Sequence, residues 1–147
     1  MHIRDIRIDD KKEVFKMLET FYNQTNASLH TMNYANCEAT FEECLRSSTY
    51  ARMVVFEEEK NLIGFALLSF TWSNESGGMV VLIEEVFFDE SARGKGYGSQ
   101  FFTWLEETYH DSTRFRLEAT YDNKGAIDLY KRLGYEELNY FQMVKDK

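Results

Sequence analysis

The stretch Arg93–Gly98 reads Arg-Gly-Lys-Gly-Tyr-Gly and stands between two segments of different periodicity. Before it, residues Met79–Phe88 are apolar at nearly every position, which is typical of a strand that is buried on both faces. After it, the apolar residues Phe101, Phe102 and Leu105 recur at helical spacing. The stretch is therefore predicted to be a glycine turn that joins a buried strand to a helix.

Apolar periodicity predicts five further elements before this strand, in the order strand, helix, helix, strand, strand. The segments concerned are Ile3–Ile8, Val14–Tyr22, Cys37–Leu45, Tyr50–Phe56 and Leu62–Trp72. After the helix that follows the turn, alternation at Phe115–Ala119 predicts a strand. A helix capped by Asp122-Asn123 and ended by Gly134 comes next, and Tyr140–Val144 is expected as a last strand.

These elements predict an α/β fold, an α+β mixed sheet of order β-α-α-β-β-β-α-β-α-β(β), in which the strand in parentheses is a further C-terminal strand with no segment assigned to it. The sheet is expected to be mostly antiparallel and flanked by helices, with one parallel crossover at the glycine turn. The chain contains no proline, no internal repeat and no linker-like segment, so a single domain over residues 1–147 is expected.

The composition excludes several classes of protein. With 44% hydrophobic and 16% aromatic residues, a chain of 147 residues can build a core without disulfide or metal support. Its 25 acidic and 17 basic side chains give a net charge of −8, which argues against nucleic acid and against an anionic membrane as partner. No apolar run reaches the roughly 18 residues of a membrane span, and no apolar signal core is present, so a cytoplasmic location is expected.

The two cysteines are predicted to be buried thiols. Cys37 and Cys44 are seven residues apart on a predicted helix, which separates them by roughly 10 Å, too far for a disulfide. None of the three histidines stands at ligand spacing, and no metal is expected.

The residues of the glycine turn, taken alone, allow two interpretations of its role. A strand-to-helix junction exposes unpaired amides at the positive end of the helix dipole, which suits a diphosphate. Alternatively, the turn needs glycine only for its backbone angles. The dinucleotide pattern Gly-x-Gly-x-x-Gly fails, because its last position is Ser99 or Phe101, and the Walker A pattern fails because Gly94-Lys95 is followed by Gly96.

The pattern Arg-x-x-Gly-x-Gly at Arg93–Gly98, followed by Asn123, Tyr130 and Gly134, resembles the GNAT superfamily of acetyl-CoA-dependent N-acetyltransferases. The resemblance covers residues 79–136 closely and, by element order, most of the chain. It implies the GNAT fold and acetyl-CoA as cosubstrate.

The resemblance also implies roles for individual residues. Backbone amides of the turn would bind the coenzyme A diphosphate, and the end of the preceding strand would pair with the pantetheine arm, an amide near Phe87 receiving the thioester oxygen. The implied cofactor-binding residues are Val86, Phe87, Phe88, Arg93, Gly94, Lys95, Gly96, Tyr97, Gly98, Ser99, Asn123 and Ala126. Tyr130 would donate a proton to the leaving thiolate, although a core tyrosine also fits its position.

Two adjacent carboxylates interrupt the buried strand before the turn. Strand alternation is expected to send Glu84 to one face and Glu85 to the other. By its distance before Arg93, Glu84 matches the strand glutamate that is the base in the diamine-acetylating branch of the family, and Glu85 is expected to bind the acceptor or to be structural. Pairing of both with basic side chains is the alternative. Tyr22 and Trp72 are expected to line the acceptor pocket.

The charge is unevenly distributed along the chain. Residues 1–90 hold 16 acidic and 8 basic side chains, whereas residues 91–147 hold 9 of each. A neutral coenzyme-binding part and an acidic acceptor-binding part would favour a cationic amine. Solubility explains the same charge equally well, and the run Glu57–Glu59 is expected to be a solvated turn.

The resulting hypothesis is direct transfer of an acetyl group from acetyl-CoA to a primary amine of a small, polyamine-like acceptor. A peptide or protein acceptor and a non-catalytic acyl-CoA sensor are the alternatives, because the same core serves each. No nucleic-acid or membrane partner is expected. The resemblance implies a homodimer, since dimers are common in the family.

Overall fold

The structure is a computed structural model that describes residues 1–23, 28 and 30–147. Its strands are β1 (His2–Asp5), β2 (Ala51–Glu58), β3 (Asn61–Ser73), β4 (Gly78–Phe88) and β5 (Arg114–Leu117). Its α-helices are α1 (Lys11–Asn23), α2 (Tyr34–Arg46), α3 (Tyr97–Thr108) and α4 (Lys124–Arg132). The strands form one sheet in the order β1-β2-β3-β4-β5, antiparallel except for the parallel pair β4 and β5. The predicted fold class and the parallel crossover are confirmed.

The sheet lies between two helical layers because neighbouring strand residues alternate between two apolar cores. One core, on the α1/α2 face, joins both N-terminal helices to the sheet through Val14, Leu18, Phe41, Val55, Phe65 and Phe87. The other core, on the α3/α4 face, contains Phe56, Leu68, Val81, Ile83, Phe101 and Leu105. Strand β3 contributes to both cores, as its uninterrupted apolar sequence predicts.

Gly64 of β3 stands where a side chain has no room. A Cβ atom there would lie 2.2 Å from the carbonyl oxygen of Phe87 and 2.8 Å from a ring carbon of Phe56. We expect Gly64→Ala to lower the free energy of unfolding by about 1–3 kcal/mol, because β4 would have to move away. Chemical denaturation measures this loss.

Gly125 in α4 is the matched control, because nothing lies within 4 Å of its added Cβ and its backbone is helical. Gly125→Ala should cause no loss of stability and up to about 1 kcal/mol of gain. Equal effects of the two substitutions would contradict the packing argument.

The predicted last strand, Tyr140–Val144, is not formed in the structure. Residues 136–147 contain neither helix nor strand. The amide of Tyr140 is bonded to the carbonyl of Leu138 at 3.0 Å, so the backbone bends locally instead of extending along β5. The side chains of Phe141 and Val144 remain 92% and 86% exposed, so no apolar surface in the described part of the structure covers them.

The prediction of buried thiols is confirmed for Cys37 and only in part for Cys44. Both thiols are free; Cys37 is buried under α1 and Cys44 is half-buried. Burial raises the pKa of both thiols, to about 11 for Cys44, so neither is an activated nucleophile at neutral pH.

No helix in the described part of the chain is both long and apolar enough to cross a bilayer.

Candidate active site

A β-bulge in β4 determines where the two adjacent carboxylates point. Leu67 of β3 pairs with Glu85 and Leu68 pairs with Ile83, so Glu84 is the extra residue between two paired positions. Ile83 belongs to the core on the α3/α4 face, whereas Phe87, two residues beyond Glu85, belongs to the core on the α1/α2 face. Glu84 directly follows Ile83, so it points to the opposite, α1/α2 face. Glu85 stands two residues before Phe87, so it points to the same α1/α2 face as Phe87. The expectation that alternation separates them is wrong because the bulge adds one residue.

The two carboxylates have different surroundings on this face. Glu85 is half-buried; the Tyr22 hydroxyl donates to its Oε1 at 2.5 Å, and its Oε2 is buried with no hydrogen-bond partner in the described part of the structure. Burial raises the pKa of Glu85, while the Tyr22 hydrogen bond opposes the rise. Glu84 is exposed and accepts a hydrogen bond from the Ser69 hydroxyl at 2.6 Å.

Four acidic side chains without a cationic partner follow one another along the end of β4 and the segment after it. Of the other 21 glutamates and aspartates, nine are paired with a lysine or arginine among the described residues, as Asp10 is with Arg4 at 2.7 Å and Glu75 with Arg114 at 3.1 Å. Within the described residues, no ion pair involves any of the four acids at this end of the sheet. These acids are Glu84, Glu85, Asp89 and Glu90.

The second half of β4 has a free edge. Strand β5 pairs with residues Val80–Ile83 and ends at Leu117, while β4 continues to Phe88. No described strand lies beside residues 84–88 on this side, so backbone groups there can pair with an extended ligand. The predicted pantetheine-binding residues, Val86, Phe87 and Phe88, lie in this segment.

The glycine turn begins five residues after β4 ends. Gly94 and Gly96 adopt φ angles of 73° and 76°, which favour glycine, and nothing lies within 4 Å of the position of an added Cβ at either one. Gly96 is the N-cap of α3 and has no side chain to cap it, so first-turn amides of the helix face open space at the positive end of its dipole. Together they form a cradle for an anionic group.

The two basic side chains of the turn differ in whether they have an ion-pair partner. Lys95 contacts Glu58 at 3.3 Å, and the Tyr97 hydroxyl also donates to this carboxylate. Glu58 is therefore bonded to residues of the glycine turn. The run Glu57–Glu59 was expected to be a solvated turn, but only Glu59 lies in the turn between β2 and β3. Arg93 is exposed, is bonded to the Phe88 carbonyl oxygen at 3.4 Å and has no ion-pair partner among the described residues.

Helix α4 packs against the start of α3, where a Cβ atom added at Gly98 would lie 3.2 Å from Leu129. The Asn123 side chain caps it by accepting from the Ala126 amide at 3.4 Å, as predicted from the sequence. Tyr130 is half-buried and packs edge-on against Phe102 with ring centroids 5.7 Å apart. Burial raises the pKa of Tyr130, which keeps its hydroxyl protonated at neutral pH.

A cleft of about 360 Å³ connects α1 with the end of β4 and the turn. It is lined by Thr20, Phe87, Asp89, Glu90, Ser91 and Arg93. Within the described residues, the lining of this cleft includes neither Tyr22 nor the pair Glu84 and Glu85. Trp72 lies apart from that pair: it is 76% exposed and stands five residues, roughly 16 Å, along β3 from Leu67, the partner of Glu85. The structure brings Tyr22, Glu84 and Glu85 together and places Trp72 elsewhere.

Three contributors to this region were not assigned to it from the sequence. They are Ser69, which binds Glu84, Glu58, which binds the turn, and Cys37, which faces Glu85 from α2. A signal for the bulge exists in the sequence, since two successive carboxylates in an apolar strand are more easily accommodated on one polar side than on two buried faces. Among the described residues, no three His, Cys, Asp or Glu side chains are grouped to hold a metal ion.

Comparison with known proteins matches most of the chain to one protein family. The model of the acetyltransferase (GNAT) family matches residues 12–135. Thialysine N-epsilon-acetyltransferase of Sus scrofa is 34% identical over 79 residues, which are 52% of this chain and 46% of that enzyme. The chain thus aligns with less than half of that relative.

Two solved structures share the fold. A possible acetyltransferase from Clostridium difficile 630 superposes with a TM-score of 0.83 at 18% identity, covering 99% of this chain and 97% of the other. AAC(6')-Iy in complex with the bisubstrate analogue CoA-S-monomethyl-acetylneamine superposes with a TM-score of 0.78 at 17% identity, covering 99% and 97%. At these identities the likeness concerns the fold.

Proposed function

The chain belongs to the GNAT family of acetyltransferases, and we propose that it transfers the acetyl group of acetyl-CoA to a primary amine of a small cationic, polyamine-like acceptor. The observation that carries the acceptor class is the bulge, which puts Glu84 and Glu85 side by side without a cationic partner. An acceptor with positive charge supplies the partner that both lack. The pig relative's name, thialysine N-epsilon-acetyltransferase, denotes an acceptor that is also a small amine.

The residues at the turn and at the end of β4 fit acetyl-CoA. The open cradle at Gly94 and Gly96 suits the diphosphate, with Arg93 free to pair with a phosphate oxygen. The free edge of β4 at residues 84–88 suits the extended pantetheine arm. It ends next to the carboxylate pair, so a thioester bound along this edge would lie near the acceptor amine.

The chemistry then follows from the amine. An alkylamine with a pKa near 10.4 is protonated at neutral pH, so one carboxylate of the pair must take a proton before the amine can attack. A backbone amide near Phe87 would stabilise the developing oxyanion, and Tyr130 would protonate the departing thiolate. The transfer is direct, with no acyl-enzyme.

A thiol-release assay with acetyl-CoA and a panel of amines tests the proposal. We expect release with polyamines, and weaker or no release with aminoglycosides, neutral amino acids and peptides. The KM for the amine should rise with ionic strength, because the attraction of exposed carboxylates such as Glu84 is screened by salt.

Other outcomes lead to other functions. Release with peptides alone would replace the polyamine by a peptide or protein N-terminus. Coenzyme A binding without thiol release on any amine would make the protein a sensor of acyl-CoA. A homodimer and a cytoplasmic location remain predictions, tested by light scattering and by fractionation.

A further inference from the structure

The two carboxylates of the bulge are not equivalent as proton acceptors. Glu84 is exposed and held by the Ser69 hydroxyl, so water competes for its oxygens. Glu85 is half-buried, and its Oε2 is shielded from water and has no donor among the described residues. A buried carboxylate oxygen without a donor is costly in the free protein, and a bound ammonium group removes that cost.

We propose that Glu85, and not Glu84, takes the proton of the acceptor amine through Oε2, directly or through one water, while the Tyr22 hydroxyl holds Oε1. Glu84 then attracts and orients the cationic acceptor. This assignment rests on the proposed acetyltransferase function, and it separates two roles that the sequence resemblance assigns the other way round.

The surroundings of Glu85 favour this role. The titratable groups that face it are Tyr22 from α1, Cys37 from α2 and Glu84 on its own strand. None of the three supplies positive charge, and no described Lys, Arg or His forms an ion pair with Glu85. The Tyr22 ring packs edge-on against Phe21 with centroids 5.2 Å apart, and its hydroxyl bonds Oε1, so Oε2 is the oxygen without a donor among the described residues.

The step balances as follows. The ammonium group gives one proton to Oε2, and Glu85 becomes a neutral acid. The freed lone pair forms the C–N bond with the thioester carbon, and the C–S bond breaks. The leaving sulfur receives a proton from Tyr130, which regains one from the new amide nitrogen, directly or through water, and Glu85 releases its own proton to solvent.

Steady-state kinetics of three glutamine variants test the assignment. We expect Glu85→Gln to lower kcat/KM by about 10²-fold, within the range of a positioned acid-base group, and to remove the acidic limb of the pH profile. Glu84→Gln should mainly raise the KM for the amine. Glu59→Gln, at the exposed β2–β3 turn, is the control and should behave as the wild type.

Tyr22→Phe tests the positioning role. The variant keeps the ring against Phe21 and removes the hydroxyl whose hydrogen bond lowers the pKa of Glu85. The acidic limb of the pH profile of kcat/KM should therefore shift to higher pH. A residue that only fills the core would leave this limb in place.

Thermal denaturation provides a readout that does not depend on turnover. Because the pKa of Glu85 is raised in the folded state, its ionisation destabilises the fold progressively above the pKa of an unfolded glutamate, about 4.3. Glu85→Gln removes this penalty. The variant should have a higher Tm than the wild type at pH 8, and the difference should vanish near pH 4.

The outcomes separate the two proposals. Thiol release by the wild type together with unchanged kcat/KM and pH profile in Glu85→Gln would overturn the assignment and leave the acetyltransferase function standing. The same follows if Glu84→Gln, and not Glu85→Gln, loses the acidic limb. Coenzyme A binding with no thiol release on any amine of the panel would overturn both.

Discussion

Tyr130→Phe is expected to lower kcat at least about tenfold while the Kd for coenzyme A stays within about twofold of the wild type. The substitution removes one hydroxyl and keeps the ring, which packs edge-on against Phe102 in the core on the α3/α4 face. Without a proton donor, the thiolate must leave as an anion in a half-buried place. Single-turnover thiol release and calorimetric titration with coenzyme A measure the two quantities.

Tyr135 provides a matched control. Its ring also packs edge-on against Phe102, with centroids 5.6 Å apart, and its hydroxyl is buried without a partner in the described structure. Tyr135→Phe should leave kcat unchanged and raise the free energy of unfolding by about 1 kcal/mol, because it removes an unsatisfied polar group. Equal turnover in the two variants and the wild type would remove Tyr130 from the mechanism.

The parts of the fold that the sequence predicted are those with strong local signals. The glycine turn combines residues that favour a left-handed backbone with a change from strand to helix periodicity. The cap at Asn123 has a side chain that accepts from an amide three residues later. Strand β3 is apolar at nearly every position, as a strand between two helical layers requires.

The arrangement of the carboxylates could not be predicted from alternation. One extra residue in β4 moves Glu84 to the face of Glu85, and the register that reveals it depends on pairing with β3, 15 or more residues away. The hydroxyl that bonds Glu85 comes from Tyr22, which is 63 residues distant in sequence. Local periodicity contains neither relation.

The wrong expectation at Tyr140–Val144 has a related cause. Alternating apolar residues satisfy the local requirement for a strand, but a strand also needs a partner edge and a surface to cover its side chains. In the structure, Tyr140 instead bonds Glu75 at the β3–β4 hairpin at 2.6 Å, and Phe141 stays exposed. The expectation that Trp72 lines the acceptor pocket failed for a related reason. An aromatic side chain near the end of a strand can line a pocket or face solvent, and the local sequence is the same in both cases.

Gly96→Val is expected to weaken coenzyme A binding by about 10²-fold. A β-branched residue at a φ of 76° is strained, so the turn must change conformation to relieve it. The change would misdirect the amides at the start of α3, and losing two charge-assisted hydrogen bonds to a diphosphate costs about 3 kcal/mol, which corresponds to that factor. Calorimetric titration at two salt concentrations measures the loss.

Gly77→Val separates this effect from general strain. Gly77 has a φ of 75° and open space around its missing Cβ, so valine is strained there to the same degree, but it lies in the β3–β4 hairpin at the opposite end of β4 from the turn. The two variants should therefore lose similar stability, and only Gly96→Val should lose affinity for coenzyme A. Equal affinities in both would mean that the turn contributes backbone geometry and no diphosphate contact, and the phosphate contacts would then have to come from side chains such as Arg93.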